Sequence, residues 1–207
     1  MTQPPQPEPS GAVAATAMFV EVLVVGIGFL TGLGILATAI AGPHAGHRLV
    51  PLLGTPLAAG AALAFAYALG ILIDRAADLI LAPLRRKLRR QSFTTSGAYA
   101  QARLNLAEVP ALAARADYAR SRLRICRGWI LDSVLLTLAT DVALARYPVQ
   151  NRPALLVTTT LLGSAIAVGF YLSWHTITAT GYRKLALQTA PAPALPAQPA
   201  TSASPSP

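Results

Sequence analysis

The sequence predicts an all-α integral membrane protein with four transmembrane helices arranged as two hairpins, and with a basic helical cytoplasmic segment between spans two and three. Its 207 residues are 54% apolar and only 12% charged, which is too hydrophobic for an ordinary soluble domain. Four long runs hold most of the apolar residues. Each run has about the length, about 20 residues, that a helix needs to cross the hydrocarbon core. Eleven of the seventeen Lys and Arg residues fall between Arg85 and Arg127, beside these runs.

The first hairpin is predicted over residues 17–83, after an N-terminal tail, residues 1–16, that is rich in Pro and Gln and is predicted to be disordered. Its spans cover about 18–41 and 52–73. Small residues recur at spacings of four in both spans, which favours close helix packing. These residues are Gly28 and Gly32 in the first span, and Ala58, Ala62, Ala66 and Gly70 in the second.

The basic cytoplasmic segment is predicted over residues 84–122. The second-span helix is expected to continue amphipathically to Pro83, where LRRKLRR follows. Residues 98–108 are typical of a short helix, with Ser96 as its N-cap. The segment thus joins the two hairpins through helices and turns rather than through a folded domain.

A single long helix is predicted from Pro110 to the Tyr147-Pro148 pair. Proline is tolerated in the first helical turn, and apart from Gly128 no helix breaker follows for about 37 residues, or about 55 Å. This length exceeds a bilayer, so only its second half, about 128–145, is expected to span.

The second hairpin is predicted over residues 123–180, with its spans at about 128–145 and 154–174. Small pairs in the last span again favour helix packing. The tail, residues 186–207, is rich in Pro, Ala and Ser, has little to bury, and is predicted to be disordered. The small pairs are Gly163 with Ala167 and Ala165 with Gly169.

The charge distribution predicts how the chain is threaded. Short loops on the cytoplasmic side carry an excess of Lys and Arg, and the connector between spans two and three holds eleven of them. The opposite loops hold only Arg48, Arg146 and Arg152. Both termini are therefore expected in the cytoplasm. The Ala-, Arg- and Pro-rich usage suggests a bacterial chain, so the predicted location is the bacterial inner membrane.

Every span places an ionisable group near its cytoplasmic end, which predicts an inner-leaflet polar cluster. Asp74 and Asp78 share one helix face, and so do the arginines at 120, 124 and 127. We favour a structural clamp of ion pairs over the alternative, a site for a proton, a cation or a lipid headgroup. The predicted members are Glu21, Asp74, Arg75, Asp78, Arg120, Arg124, Arg127, Asp132 and His175.

A second polar feature lies along span three, where four polar side chains occupy an arc of about 100° on the helix. Its acid, Asp141, is expected in the outer half of the membrane. The candidate partners are Arg146, Arg152 and the threonines of span four at 158, 159 and 160. Interhelical hydrogen bonding is favoured over a conduction path. The stripe consists of Ser133, Thr137, Thr140 and Asp141.

No residue pattern indicates a catalytic set, a cofactor or a metal site. His44 and His47 provide two nitrogens in a flexible turn, fewer than a zinc site requires. Cys126 has arginine neighbours but no nearby His to act as a base. The basic segment lacks interleaved aromatic residues, which argues against nucleic acid as its partner. Anionic membrane lipids are the expected partner instead.

Three hypotheses of function follow. The favoured one is a non-enzymatic scaffold, accessory subunit or oligomeric membrane effector that receives a partner, or another copy, through its basic cytoplasmic helices. A small proton or ion transporter or channel that uses the inner-leaflet carboxylates is the first alternative. A lipid-modifying membrane enzyme is the second, with Glu21, Asp74, Asp78 and His175 around one lipid-accessible pocket.

Overall fold

A computed structural model describes residues 11–42, 55–108 and 110–189. Across these residues the chain is entirely helical, as predicted, and forms five helices with no strand. Four of the five are long and apolar enough to cross a membrane. The helices are α1 (Gly11–Ala41), α2 (Pro56–Ser92), α3 (Ser96–Ala107), α4 (Pro110–Arg146) and α5 (Arg152–Thr189).

Helix α1 contains the predicted first span and ends at a glycine. Gly42 adopts a φ of +85°, a left-handed conformation that favours glycine, and its N–H donates to the carbonyl of Thr38 over 3.0 Å. Two residues at the end of α4, Arg146 and Tyr147, also bind carbonyls of the last turn of α1. Arg146 donates to the carbonyls of Ala39 and Ile40, and the Tyr147 hydroxyl donates to that of Thr38 over 2.8 Å. His44 and His47 lie outside the described residues.

Helix α2 begins at a cap and continues further than predicted. The Thr55 hydroxyl accepts the N–H of Ala58 over 3.2 Å, and Pro56 occupies the first helical position. The helix does not end at Pro83 but runs to Ser92 as one element. Pro83 is exposed, so the carbonyl that loses its N–H partner there faces outward rather than into the core. The basic residues after Pro83 therefore belong to the same helix as the predicted second span.

Helix α3 is capped by Thr95, whose hydroxyl accepts the N–H of Ala98 over 3.1 Å. The predicted cap, Ser96, is instead the first helical residue. Helix α4 confirms the prediction of one 37-residue helix that begins at Pro110. Asn151, with a φ of 55°, immediately precedes α5, and asparagine is one of the few residues besides glycine that tolerates this conformation.

Helix α1 packs against both α2 and α4, and α4 also packs against α5. Glycines let the first pair approach closely. A methyl group added at Gly26 would overlap the carbonyl of Ala66, and one added at Gly70 would overlap that of Val22. The two helices therefore touch backbone to backbone, as the small-residue spacing predicted for Ala66 and Gly70.

The packing of α4 uses glycines on three helices. Gly28 and Gly32 of α1 face Asp132 and Leu135 of α4, while Gly128 of α4 faces Val25. On the other side of α4, Gly163 of α5 approaches Thr137. At three further glycines in the predicted spans, Gly34, Gly60 and Gly169, an added methyl group would meet no atom of another helix within 4 Å.

An apolar core joins α2, α4 and α5 at the end of the bundle where α2 becomes basic; we call this the basic end. It is built from Leu81 and Leu88 of α2, Cys126 of α4 and Trp174 of α5, of which Trp174 is only 2% exposed. Trp129 of α4 also stacks on Phe170 of α5, with 5.7 Å between ring centroids. These contacts fix the C-terminal half of α2 against the second half of the chain.

Aromatic rings hold α3 to the same end. Tyr99 of α3 makes edge contacts with Phe93, at 5.3 Å, and with Tyr182 of α5, at 5.9 Å. The Arg89 guanidinium lies 5.2 Å from the centre of the Tyr99 ring, a cation–π distance. The short helix is thus docked on the ends of α2 and α5.

The outer surfaces of the long helices are apolar. Leu57 and Leu79 of α2 and Leu161 of α5 are among the many exposed large hydrophobic side chains. The most apolar stretch of α5 contains no buried residue. Apolar side chains on an outer surface are what contact with lipid hydrocarbon requires.

Candidate functional site: paired charges at the basic end and an unpaired carboxyl

Two aspartates one helical turn apart on α2 face two arginines of α4. Arg127 donates from Nη2 to Asp74 Oδ1 over 3.0 Å and from Nη1 to Asp78 Oδ1. Arg124 Nε lies 3.7 Å from Asp74 Oδ2, and Arg85 Nη1 lies 2.5 Å from Asp78 Oδ1. We call these five residues the arginine–aspartate cluster.

The local sequence explains why these side chains meet. Asp74 and Asp78 flank Ala77, which is buried, so the face of α2 that carries them points inward. Arg127 comes one residue after Cys126, which belongs to the apolar core, and its own side chain is only 16% exposed. The apolar contacts therefore hold the guanidinium between the two carboxylates.

The cluster neutralises the aspartates. Each aspartate has two arginine partners, and three arginines against two aspartates leave a net charge of +1 (3 − 2). Arg127 is the member common to both aspartates, although its buried Nε has no hydrogen-bond partner. Since hydrogen bonds between charged groups are the stronger kind, the cluster cross-links α2 to α4.

The other predicted members of the inner-leaflet cluster are engaged separately. Glu21 of α1 accepts a hydrogen bond from the Ser121 hydroxyl of α4 through Oε1, and its buried Oε2 has no partner. His175 is half-buried, with its ring 6.2 Å from that of Tyr171 on the same helix. Arg75 and Arg120 are both exposed. The structure thus does not bring these residues together with the arginine–aspartate cluster into one site.

Asp132 departs furthest from the sequence expectation. It was predicted to face the arginines of the inner layer, yet its side chain is fully buried and neither oxygen has a hydrogen-bond partner. It faces Gly28 of α1, where an added methyl group would lie 2.7 Å from Oδ2. The two helices pack so closely here that the carboxyl group fits only because residue 28 has no side chain.

The polar stripe of α4 is bonded in two ways. The Ser133 and Thr137 hydroxyls donate to carbonyls one turn earlier, those of Trp129 and Ser133, each over 2.6 Å. Thr140 is half-buried on the same arc. The Ser133 and Thr137 hydroxyls therefore bond within α4 and not, as was expected of the stripe, to a neighbouring helix.

Asp141 at the far end of the stripe is bound by α5. The hydroxyls of Thr159 and Thr160 lie 2.6 Å and 2.8 Å from its two carboxylate oxygens. The arginines considered as partners bind elsewhere: Arg146 donates to carbonyls of α1 and Arg152 to that of Ala145. Asp141 therefore links α4 to α5 through two hydroxyl donors.

Sequence reasoning missed two partners. Arg85 was not expected beside Asp78 because the helix was predicted to end at Pro83. On the continuous helix these residues are seven positions apart and share a face. Ser121 was not predicted as the partner of Glu21, since nothing in the sequence relates the rotation of α1 to that of α4.

A row of cations remains on the outer face of α2. A shallow, open groove along this face is lined by Pro83, Arg86, Lys87, Arg90 and Gln91. The three cations are exposed, while Leu88 on the opposite face is buried in the core. The amphipathic end of α2 thus presents positive charge directly beyond its apolar stretch.

No protein-family model, curated protein or solved structure matches this chain.

Proposed function

We propose that this protein is a non-enzymatic multi-pass membrane component, acting as a scaffold, an accessory subunit or an oligomeric effector through its basic cytoplasmic helices. The observation that supports the proposal is that some charged side chains pair within the chain while others stay exposed. The inner aspartates are neutralised within the chain by Arg124, Arg127 and Arg85, whereas the row at Arg86, Lys87 and Arg90 stays exposed. Internal pairs stabilise the bundle, and the exposed row is available to partners.

The proposed setting is the bacterial inner membrane, with both termini and the basic end in the cytoplasm. Four helices of sufficient length and apolar character support the membrane location. The concentration of eleven of seventeen cations between Arg85 and Arg127 supports the orientation through the positive-inside rule. The helical contacts of α1 with α2 and of α4 with α5 are compatible with two hairpins.

Anionic phospholipids are the proposed first partners of the basic end. The cations of α2 continue a membrane span, which puts them at headgroup depth, and each Lys or Arg near an anionic surface contributes about 1 kcal/mol. The proposed second partner is another membrane protein or another copy of the chain. At Gly34 and Gly169 an added methyl group would meet no other helix, so these positions leave smooth, apolar helix surfaces for such a contact.

Native mass spectrometry of the full chain, released from lipid nanodiscs, tests this proposal. We expect a complex, either with a protein partner or with further copies, that retains anionic phospholipid. Replacing Arg86, Lys87 and Arg90 by Gln is expected to remove the retained lipid or the partner. The matched control replaces the exposed cations Arg103, Arg183 and Lys184 by Gln and is expected to keep both. A wild-type chain that is always a lone monomer without lipid would contradict the proposal.

Transport of a proton or an ion is a second candidate, and the buried, unpaired carboxyl of Asp132 is the observation in its favour. Intramembrane acids commonly mark such pathways. Flux into liposomes tests it: Asp132→Asn and Asp141→Asn are expected to abolish flux while the protein still folds. Flux that persists in both variants, or a wild type that moves no proton or ion offered, would count against transport.

A further inference from the structure

The carboxyl group of Asp132 is enclosed in a close-packed seam between α1 and α4. Three contacts in register define this seam: Val25 with Gly128, Gly28 with Asp132, and Gly32 with Leu135. The residue numbers increase together along both helices, so the helices run parallel here. Packing on both sides of Asp132 along the seam leaves its side chain fully buried.

Nothing in the described part of the chain offers this carboxyl group a hydrogen-bond donor. Gly28, which faces it, has no side chain, and the nearest arginine along its own helix, Arg127, is about 140° around the helix axis and already bound to Asp74 and Asp78. An ionised carboxylate without a counter-charge or donor costs far more to bury than the neutral acid does.

We infer that Asp132 and Gly28 form a proton-binding site in the α1–α4 seam, in which the carboxyl group of Asp132 is held as the neutral acid when the seam is closed. The ligand of this site is a proton. A carboxylic acid also carries an O–H, which gives the group a donor that the carboxylate lacks.

Other titratable groups on the surrounding helices are committed elsewhere. Those of the arginine–aspartate cluster pair with each other, Glu21 accepts from Ser121, and Asp141 accepts from two threonines. The remaining cations, Glu108 and His175 on the helices packed around α4 are exposed or half-buried. They are Arg75, Arg86, Lys87, Arg89 and Arg90 on α2, Arg103 and Glu108 on α3, and Arg152, His175, Arg183 and Lys184 on α5.

Loss of the proton has a definite structural consequence. A carboxylate in the closed seam requires that α1 and α4 separate to admit water, because no donor in the described part of the chain reaches it. This separation disturbs the register of Gly28 on Asp132. The site therefore couples proton binding to the closure of this seam, whether the protein acts as a scaffold or as a transporter.

Infrared difference spectroscopy of the full chain in lipid nanodiscs tests the inference. A protonated carboxyl group gives a C=O stretching band that is absent from carboxylates and shifts in D₂O. We expect this band near neutral pH, its loss in Asp132→Asn, and its retention in the matched variant Asp141→Asn. Wild-type protein without the band, or a band that Asp132→Asn leaves unchanged, would overturn the inference.

A second measurement keeps the inference testable if Asp132→Asn fails to fold. Wild-type protein labelled with ¹³C at its aspartate carboxyl groups is expected to show an isotope-shifted acid band that disappears as the pH is raised. Gly28→Ala, which adds a methyl group beside Oδ2, is expected to shift the band, whereas Gly34→Ala in open space is not. An acid band that is insensitive to the aspartate label would rule out the site in the folded wild-type protein.

Discussion

Helix α4 contacts the first two helices in opposite ways. Toward α2 it presents Arg124 and Arg127, which pair with Asp74 and Asp78. Toward α1 it presents Asp132, which has no partner and is held against a glycine. The contact between α4 and α2 depends on opposite charges that pair. The contact between α4 and α1 depends on a neutral carboxyl group and on a glycine, which has no side chain. The same amino acid type thus serves one interface as an ion and the other as a neutral group.

The largest effect is expected from removing the shared cation of the paired interface. Arg127→Met removes two charge-assisted hydrogen bonds, each contributing about 1.5–3 kcal/mol, and leaves each aspartate with one arginine, Arg124 or Arg85. It is expected to lower the free energy of unfolding by about 3–5 kcal/mol. Denaturant unfolding in detergent micelles measures it. The control, Arg103→Met on the exposed face of α3, is expected to change it by less than about 0.5 kcal/mol.

Adding Asp74→Asn and Asp78→Asn to Arg127→Met tests the remaining pairs, because it leaves Arg124 and Arg85 without the acids that they contact. The triple variant is expected to be less stable than Arg127→Met. A triple variant that is more stable than Arg127→Met would show that Arg124 and Arg85 do not compensate the aspartates.

Filling the glycine seam is expected to have the next largest effect. Gly32→Leu pushes into Leu135 across the α1–α4 contact and is expected to cost about 1–3 kcal/mol through overpacking. Gly34→Leu, two residues away on the same helix and in open space, is the matched control and is expected to be neutral or stabilising, since Leu is the better helix former. Equal losses in the two variants would show that α1 and α4 do not meet through residue 32.

The two acids of α4 distinguish the interfaces more finely. Asp141→Asn weakens the hydrogen bonds from Thr159 and Thr160 and is expected to lower the unfolding free energy by about 1 kcal/mol. Asp132→Asn replaces one neutral group by another of the same shape, so a smaller loss is expected near neutral pH. Thermal unfolding of both variants measures the difference. A larger loss for Asp132→Asn would indicate that Asp132 is ionised and paired.

The smallest effect is expected at the rim of the arginine–aspartate cluster. The Arg85 side chain is 42% exposed, and Asp78 retains Arg127 when Arg85 is replaced. Arg85→Gln is therefore expected to lower stability by less than about 1 kcal/mol, with an effect that shrinks as salt is added. Unfolding at low and high ionic strength measures both quantities. A loss as large as that of Arg127→Met would place Arg85, rather than Arg127, at the centre of the cluster.

Composition and spacing predicted much of this architecture because the bilayer imposes strict demands on length and hydrophobicity. The single helix from Pro110 to Arg146 followed from the absence of breakers, and the close contacts at Gly28, Gly32 and Gly70 followed from small-residue spacing. These are local properties that each segment carries by itself.

The partners of the charged side chains could not be predicted from any one segment of the sequence. Which acid meets which arginine depends on the rotation of each helix and on its neighbours, so the depth of Asp132 along the membrane did not reveal its partner. Its position five residues after Arg127 already implied a different side of α4, but only the structure placed Gly28 there. The continuation of α2 past Pro83, which brings Arg85 to Asp78, was equally hidden.

Cysteine labelling tests whether the helices cross the membrane with the basic end in the cytoplasm. In a Cys126→Ser background, Gly97→Cys places a thiol in open space on α3, and Gln150→Cys places one at the exposed turn between α4 and α5. A membrane-impermeant maleimide applied to intact spheroplasts is predicted to label residue 150 at once and residue 97 only after permeabilisation. Labelling of residue 97 from outside, with residue 150 protected, would contradict this orientation of the helices.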